Sequence, residues 1–507
     1  MAPVPRWFIP ALVALAACES QISRIPAADG PLRIDVRFPT DSTAVPVEGA
    51  TPIWGTVGTG RASLRVNGVT VPVEANGTFA SFQPVAAGGE LRFVARAGDD
   101  SLVHTITLRA ASPAAARQPE GDVRPWIRWV TMRRLPSDTA DSATHWRPIY
   151  SRWRPEGEVA MPLPQGMRLL ADARTDRSLR LRLSEAHWVW IPADDADTLT
   201  APRAELLDAG APVMTTSPDS GETVISIALP ERLPSTVELQ ADRLYWTIYG
   251  AQWTSRPPSQ HGANRPVRRL VARDSAAGRV VVDLGLSAFP LGWRTEWRGN
   301  ALHLRLRVPP KAAPSLRGLI VALDPGHPPD GTTGPSGLRE DSATLAVATE
   351  AAAMLRAEGA TVIMTRTDER PLSLEARAVI AETSSAHLFV SLHLNAPGPG
   401  RPPEAALGTK VYFTNPQSLH LARHMSTSVA AALQQRNFGS QLQEFAVLRP
   451  SWMTAVLVEG SVIVLPEREA FFRTRAGVQA YAHGVVDGIR RWHGSATSRQ
   501  FTDRGGH

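Results

Sequence analysis

Near residue 315 the hydrophobic pattern changes period, and that break limits the fold more than any other feature of the chain. Downstream of it, Leu319-Ile-Val-Ala-Leu323 is a continuous apolar run, the pattern of a strand buried on both faces. Ser342 to Leu355 is Ala-rich with helical periodicity, and Gly359 supplies its stop. Thr361–Thr365 reads as the next strand, Leu374–Glu382 as a helix and His387–Leu392 as a third strand. Leu419–Gln435 and Arg475–Trp492 follow as helices, with the strand Ala455–Glu459 between them. Strand and helix in alternation predict an α/β domain over 316–493, with a mostly parallel sheet flanked by helices.

Upstream of the break the chain reads as all-β, and 507 residues are too many for a single core. Between Arg33 and Arg109, short alternating runs are separated by turn signals that include Asn67-Gly68 and Asn76-Gly77, both hairpin markers. A small β-sandwich over 32–110 is expected, and its Val66-Asn67-Gly68 and Asn76-Gly77-Thr78-Phe79 stretches resemble immunoglobulin-like modules of bacterial surface proteins. Residues 111–122 read as a linker. In 123–200, a Leu-Pro-x-Gly-x-x-Leu stretch, a basic strand (Leu179–Leu183) and Trp188-Val-Trp-Ile-Pro192 resemble a small Src-homology-type β-barrel. The β-patterned segments of 201–308 are similar in layout to the AMIN modules that precede some amidases, and residues 309–315 form a second linker. An unclassified β-rich region is the alternative for all of 123–308.

The N-terminus carries one positive charge, an apolar stretch too short to span a bilayer, and Leu15-Ala16-Ala17-Cys18. That run resembles the bacterial lipobox, which implies a signal peptide over 1–18, lipidation at Cys18 and a tether over 19–31. A membrane attachment by lipid anchor follows, at an outer membrane facing the periplasm, which the Arg-rich composition fits and toward which Glu19 leans, standing where inner-membrane retention favours Asp. A Gram-positive envelope, or an ordinary secretory signal with an incidental Cys, is the alternative. Cys18 is the single cysteine, so internal disulfides are excluded. The 54 Lys+Arg against 48 Asp+Glu give a net charge of +6 without a basic run, which argues against a nucleic-acid partner. Lysine occurs only at Lys311 and Lys410, so an arginine-biased composition accounts for the excess. Residues 494–507 read as a disordered tail.

Chemistry-bearing residues gather where the strands of the last domain end, the place where open α/β sheets put their sites. Asp324-Pro-Gly-His327 follows the first strand, Ser391-Leu-His393-Leu-Asn395 ends the third, and Glu459 ends a later one. Glu340 opens the first long helix. Two imidazoles and a carboxylate make a catalytic zinc set that leaves a fourth position for water, and a further carboxylate is needed to move the proton.

Taken in order, these segments resemble one family. Val321-Ala-Leu-Asp-Pro-Gly-His327, Gly337-Leu-Arg-Glu340, Met364-Thr-Arg-Thr-Asp368, Ser373-Leu-Glu-Ala-Arg377, Ser391-Leu-His-Leu-Asn-Ala396 and Val458-Glu459 are similar to the zinc-dependent N-acetylmuramoyl-L-alanine amidases. The resemblance implies that His327, Glu340 and His393 bind Zn2+ and that Glu459 is catalytic. It implies peptidoglycan as partner and hydrolysis of the amide between N-acetylmuramic acid and the L-alanine of the stem peptide. Asp324 and Asn395 are candidates for orienting ligands or substrate, with a turn-bracing role for Asp324 as the alternative. Arg366 and Arg377 are expected to pair with Asp368 and Glu375.

Two departures stand out. The family usually continues Asp-Pro-Gly-His with Gly-Gly, whereas Pro328-Pro329 follow here and remove two backbone donors. Asp341 occupies a position where Lys is common in the family. Where some relatives insert a blocking helix, only the short Pro397–Pro403 loop stands. His420 and His424 lie one helical turn apart but lack the Glu that a zincin motif requires, and so read as a surface pair. A non-catalytic wall-binding lipoprotein with a degenerate amidase fold, or a zinc hydrolase of another amide, are the competing readings. No feature of the sequence identifies a protein regulator.

Overall fold

The computed structural model describes residues 25–41, 43–45, 49–85, 89–110, 122–133, 135–136, 146–147, 149–155, 157–202, 206–216, 222–255, 257–261, 266–275, 278–310, 315–398 and 400–495. The signal segment with Cys18, most of both linkers and most of the tail lie outside them. Residues 25–31 of the expected tether do not stand apart: Ala28 donates to the carbonyl of Ala75 at 2.9 Å, and Asp29 bridges to Thr59.

Two antiparallel sheets share the first core. One pairs Asp35–Phe38, Ala50–Thr56 and Thr78–Pro84; the other pairs Val69–Val71, Ser63–Val66, Glu90–Ala97 and Asp100–Thr107. Ile53 and Phe79 from one meet Leu64, Leu91 and Phe93 from the other. Asn67-Gly68 makes the expected two-residue hairpin, both residues at positive φ (49° and 83°) as such a turn requires. Asn76-Gly77 does not make one. The strands on either side of it belong to different sheets, and the Asn76 side chain holds the crossing by accepting from the Thr78 N–H at 3.0 Å.

Next comes a seven-stranded antiparallel sheet running from Arg124 to Thr198, around a core that includes Leu163, Leu169, Leu181 and Val189. A four-stranded and a five-stranded sheet then enclose Trp246, Leu284 and Leu304.

The last domain holds strands β1 (Ile320–Pro325), β2 (Thr361–Met364), β3 (Leu388–Asn395), β4 (Thr409–Phe413), β5 (Asn437–Leu442) and β6 (Thr454–Val462). Its helices are α1 (Glu340–Ala357), α2 (Leu374–Thr383), α3 (Leu419–Ala432), α4 (Pro466–Phe472) and α5 (Arg475–Gly494). The strand order is β2-β1-β3-β6-β4-β5. The sheet is mixed rather than simply parallel: β4 runs antiparallel to β6, and β5 runs parallel to β4. Alternate residues face opposite layers, as the continuous apolar runs require. Val321, Leu323 and Val390 pack under α1, α3 and α5, while Ala322 and Phe389 meet Ala381 of α2. Between Asn395 and β4 the described residues hold only the short 3-10 turn Pro403–Ala406.

The β modules do not simply precede this domain in the chain. Trp293 donates its N–H to the Ser451 carbonyl at 2.8 Å, and Arg307 donates to the carbonyls of Ser385 and Ala386 at 3.1 and 2.8 Å. No helix among the described residues is long and apolar enough to cross a membrane.

Candidate metal centre

The carboxyl ends of β1, β3 and β6 lie side by side in the parallel part of the sheet, and register fixes what they present. His393 stands opposite Glu459 across the β3–β6 pair, and Asp324 stands opposite Ser391 across β1–β3. Gly326 turns the chain out of β1 so closely over β3 that a Cβ there would fall 2.4 Å from the His393 ring. Only glycine permits that approach. It brings the His327 and His393 rings to 4.9 Å, edge to face.

Glu340 closes the set from the first turn of α1, where the positive end of the helix favours an anion. Its Oε1 lies 3.3 Å from His327 Nε2 and 3.2 Å from His393 Nδ1. Leu394 donates its N–H to the same oxygen at 3.0 Å, and Thr332 donates to Oε2 at 3.0 Å. Among the described residues, these are the only three side chains of metal-ligating type that gather in this way, with their ligand atoms all within 4.8 Å of one another. Burial would raise the Glu340 carboxyl, but the hydrogen bonds to both imidazoles outweigh it and hold the group well below the usual carboxylate range. Burial works to lower both imidazoles as well, and the bonds to Glu340 reverse it and raise them.

His327 is held in an uncommon backbone conformation, φ +59°. Its Nδ1 lies 3.1 Å from the Pro329 carbonyl, which assigns the proton to Nδ1 and leaves Nε2 free for a ligand bond. Arg377, 2 % exposed, donates from Nη2 to the carbonyls of His327 and Pro328 at 3.0 and 2.8 Å. Pro328-Pro329 therefore contribute acceptors to the site in place of the donors they lack.

Asp324 serves as a brace. Its Oδ1 accepts from Thr365 Oγ1 at 2.6 Å and Arg377 Nη1 at 2.7 Å, and its Oδ2 accepts from Ser391 Oγ at 2.6 Å. This ties β2, β1, β3 and α2 together beneath the site. The expected Arg377–Glu375 pairing is therefore replaced by an ion pair with Asp324, because α2 turns the guanidinium inward. Arg366 likewise meets only the backbone carbonyl of Asp368, and donates to those of Pro325, Gly326 and Asp341; the Asp368 carboxylate pairs with Arg370 instead. Asn395 lies at the end of β3, its carbonyl accepting from Ile463 at 3.2 Å. Asp341 directs its carboxylate to Arg339. His420 packs edge-on to Phe289 at 5.2 Å.

Glu459 differs from these neighbours. It faces the same cavity as His327 and His393, and its Oε2 is buried with no hydrogen-bond partner. Burial pushes its carboxyl up to about 7, with the His393 imidazole pulling the other way. The cavity, about 500 Å3, is walled by apolar side chains that include Leu372, Leu374, Phe445 and Val447, and by the polar Asp324, Asp330, Ser373 and Arg377.

One contributor carries no motif in the sequence. Glu469 of α4, wholly buried, accepts from the N–H groups of Ser336 and Leu338 at 2.6 and 2.8 Å and so shapes the loop that enters α1. Its partners lie more than a hundred residues away, beyond any local pattern.

A family model described as N-acetylmuramoyl-L-alanine amidase matches residues 321–491. The Bacillus subtilis protein YqiI, described as uncharacterized, is 32% identical over 209 residues, which are 39% of this chain and 98% of that protein. A probable cell wall amidase, LytH of Staphylococcus epidermidis, is 29% identical over 211 residues, 40% of this chain and 68% of that one. The crystal structure of an N-acetylmuramoyl-L-alanine amidase from Clostridium difficile 630 aligns over 34% of this chain and 96% of its own, at 30% identity and a TM-score of 0.32. Through its C-terminal domain, this chain belongs to the N-acetylmuramoyl-L-alanine amidase family of enzymes.

Proposed function

We propose that the chain is a zinc-dependent peptidoglycan hydrolase that cleaves the amide between N-acetylmuramic acid and the L-alanine of the stem peptide. The observation that carries this reading is the meeting of His327, Glu340 and His393 at a cavity that Glu459 also faces. The donor set suits zinc. Two imidazole nitrogens stand 3.3 and 3.2 Å from Glu340 Oε1, so His327, Glu340 and His393 would hold the ion between them, and a set of two imidazoles and one carboxylate is of the kind that binds catalytic zinc.

When bound, zinc supplies Lewis acidity to the scissile carbonyl and to water. The remaining work falls to the chain. Glu459, poised near neutrality by burial, takes a proton from the attacking water and returns it to the leaving amine. Glu340 stays ionised because both imidazoles bind it. Arg377 and the Pro329 carbonyl keep Nε2 of His327 aimed at the site.

Cys18, as the acceptor of a lipid anchor, would place this activity in the cell envelope, at an outer membrane facing the periplasm, in wall remodelling or daughter-cell separation. A Cys18→Ser chain is then expected in the soluble fraction, and its retention on membranes would refute the anchor. For the reaction, purified peptidoglycan is digested with wild type and Glu459→Ala. Stem peptides with a free L-alanine N-terminus should appear with wild type only. Wild type that releases none, and purifies without zinc, would overturn the proposal.

A further inference from the structure

We infer that the N-terminal β-sandwich is a working part of the metal site, with Trp54 as a positioning residue for Glu340; this rests on the zinc-hydrolase reading above. Trp54 lies on the strand Ala50–Thr56, next to Ile53. Alternation along that strand sends Ile53 into the sandwich core and Trp54 out of it. Trp54 is nevertheless only 4% exposed, because it is buried in the core cluster of the amidase domain. Phe38, from the neighbouring strand, stacks on its ring with centroids 4.5 Å apart and planes 11° from parallel.

The indole also makes a directed contact. Its Nε1–H donates to the carbonyl of Thr333 at 2.9 Å. Thr333 lies in the loop that connects His327 to Glu340, and the residue before it sets the Glu340 carboxylate. The Thr332 N–H donates to Glu340 Oε2 at 3.0 Å, and the Thr332 carbonyl accepts the Glu340 N–H at 2.9 Å. Thr333 in turn bridges to Arg339, the residue preceding Glu340. The loop is thus gripped at two points. Glu469 of the amidase domain holds residues 336 and 338, and the indole contributed by the sandwich holds residue 333.

With Oε2 engaged by Thr332, Oε1 is the oxygen turned to both imidazoles. A loop freed at Thr333 can move the Thr332 donor, and with it the choice of oxygen offered to the metal. Groups that orient ligands from outside the coordination shell set metal affinity even though they never touch the ion. A tryptophan that served only to glue two domains together would affect stability and leave affinity alone.

The test compares the full chain as wild type, Trp54→Phe and Phe93→Leu. Phenylalanine keeps an aromatic ring against Phe38 and removes the N–H donor. Phe93 lies in the sandwich core, so its variant weakens the module without touching the loop. Zinc dissociation constants are measured by chelator competition, and thermal midpoints on the same samples. Trp54→Phe should weaken zinc binding about three- to thirtyfold, a graded form of the loss seen when outer-shell partners are removed. Phe93→Leu should lower the midpoint and leave affinity within about twofold of wild type. Unchanged affinity in Trp54→Phe, or an equal loss in Phe93→Leu, overturns the positioning role. Wild type that binds no zinc overturns the zinc-hydrolase reading itself, and this inference with it.

Discussion

Two carboxylates near the centre of the amidase domain, one buried and one half-buried, are treated in opposite ways. Asp324 is 1% exposed and fully engaged: Thr365, Ser391 and Arg377 all donate to it. Glu459, which lines the same cavity, is left with an oxygen that accepts from nothing. A buried charge that is paired and hydrogen bonded holds elements in place, whereas a carboxylate oxygen without a protein partner is the one left available to a proton, water or substrate. The contrast separates the brace from the proposed proton carrier more sharply than sequence position does, since both residues lie on strands of one sheet.

The largest effect is expected at Glu459, the proposed proton carrier. Glu459→Gln should cut turnover of peptidoglycan by roughly 10²- to 10⁴-fold while zinc content is retained. The same variant tests the cost of burial in metal-free protein. The folded carboxyl sits at about 7, above its ordinary value of 4.5, so its stabilising contribution is present below 4.5 and lost as pH rises through about 7. Unfolding followed across that window should depend less on pH in Glu459→Gln; an identical pH dependence would mean the carboxyl is not raised.

The brace should show the reverse pattern. Asp324→Ala leaves the Arg377 guanidinium buried without its counter-charge, at a cost of about 3–5 kcal/mol in urea unfolding. A variant as stable as wild type would erase the distinction between the two carboxylates. Gly326→Ala tests the approach of β1 to β3. A methyl group set 2.4 Å from the His393 ring must displace that ring, so zinc affinity, measured by chelator competition, should fall about ten- to a hundredfold. The smallest effect belongs to Tyr481, whose hydroxyl donates to the carbonyls of Val458 and His393 at 2.9 and 3.2 Å. Tyr481→Phe should cost about 0.5–1.5 kcal/mol in stability, and a loss of turnover beyond that would make Tyr481 part of the site.

Much of this domain was legible in the chain. The apolar runs at 319–323 and 455–459 and the Ala-rich period at 342–355 correspond to β1, β6 and α1, since a strand buried on both faces and an amphipathic helix leave distinct periods. The reversal of β4 and β5 was not legible, because strand direction is set by the path of the connections and leaves no mark on side-chain alternation. The arginine partners leave no mark in the sequence for a related reason. Arg377 has Glu375 close in sequence, but a helix sends residues two apart in different directions, and the fold offered Asp324 instead. Asn76-Gly77 has the composition of a hairpin turn, yet which strands a turn joins depends on the sheets that those strands enter.

By itself the sequence determined the chemistry available: two imidazoles and two carboxylates at strand and helix ends, a glycine before His327, and a family motif in order. Those depend on residue type and local spacing, which one dimension records. Only the tertiary structure decided which carboxylate is satisfied by its neighbours and which keeps an oxygen without a protein partner. It also decided that Pro329 and Arg377 hold His327, and that an indole from another module reaches the Glu340 loop. Hydrogen bonds and burial arise between residues far apart in the chain, and they exist only once the elements have packed.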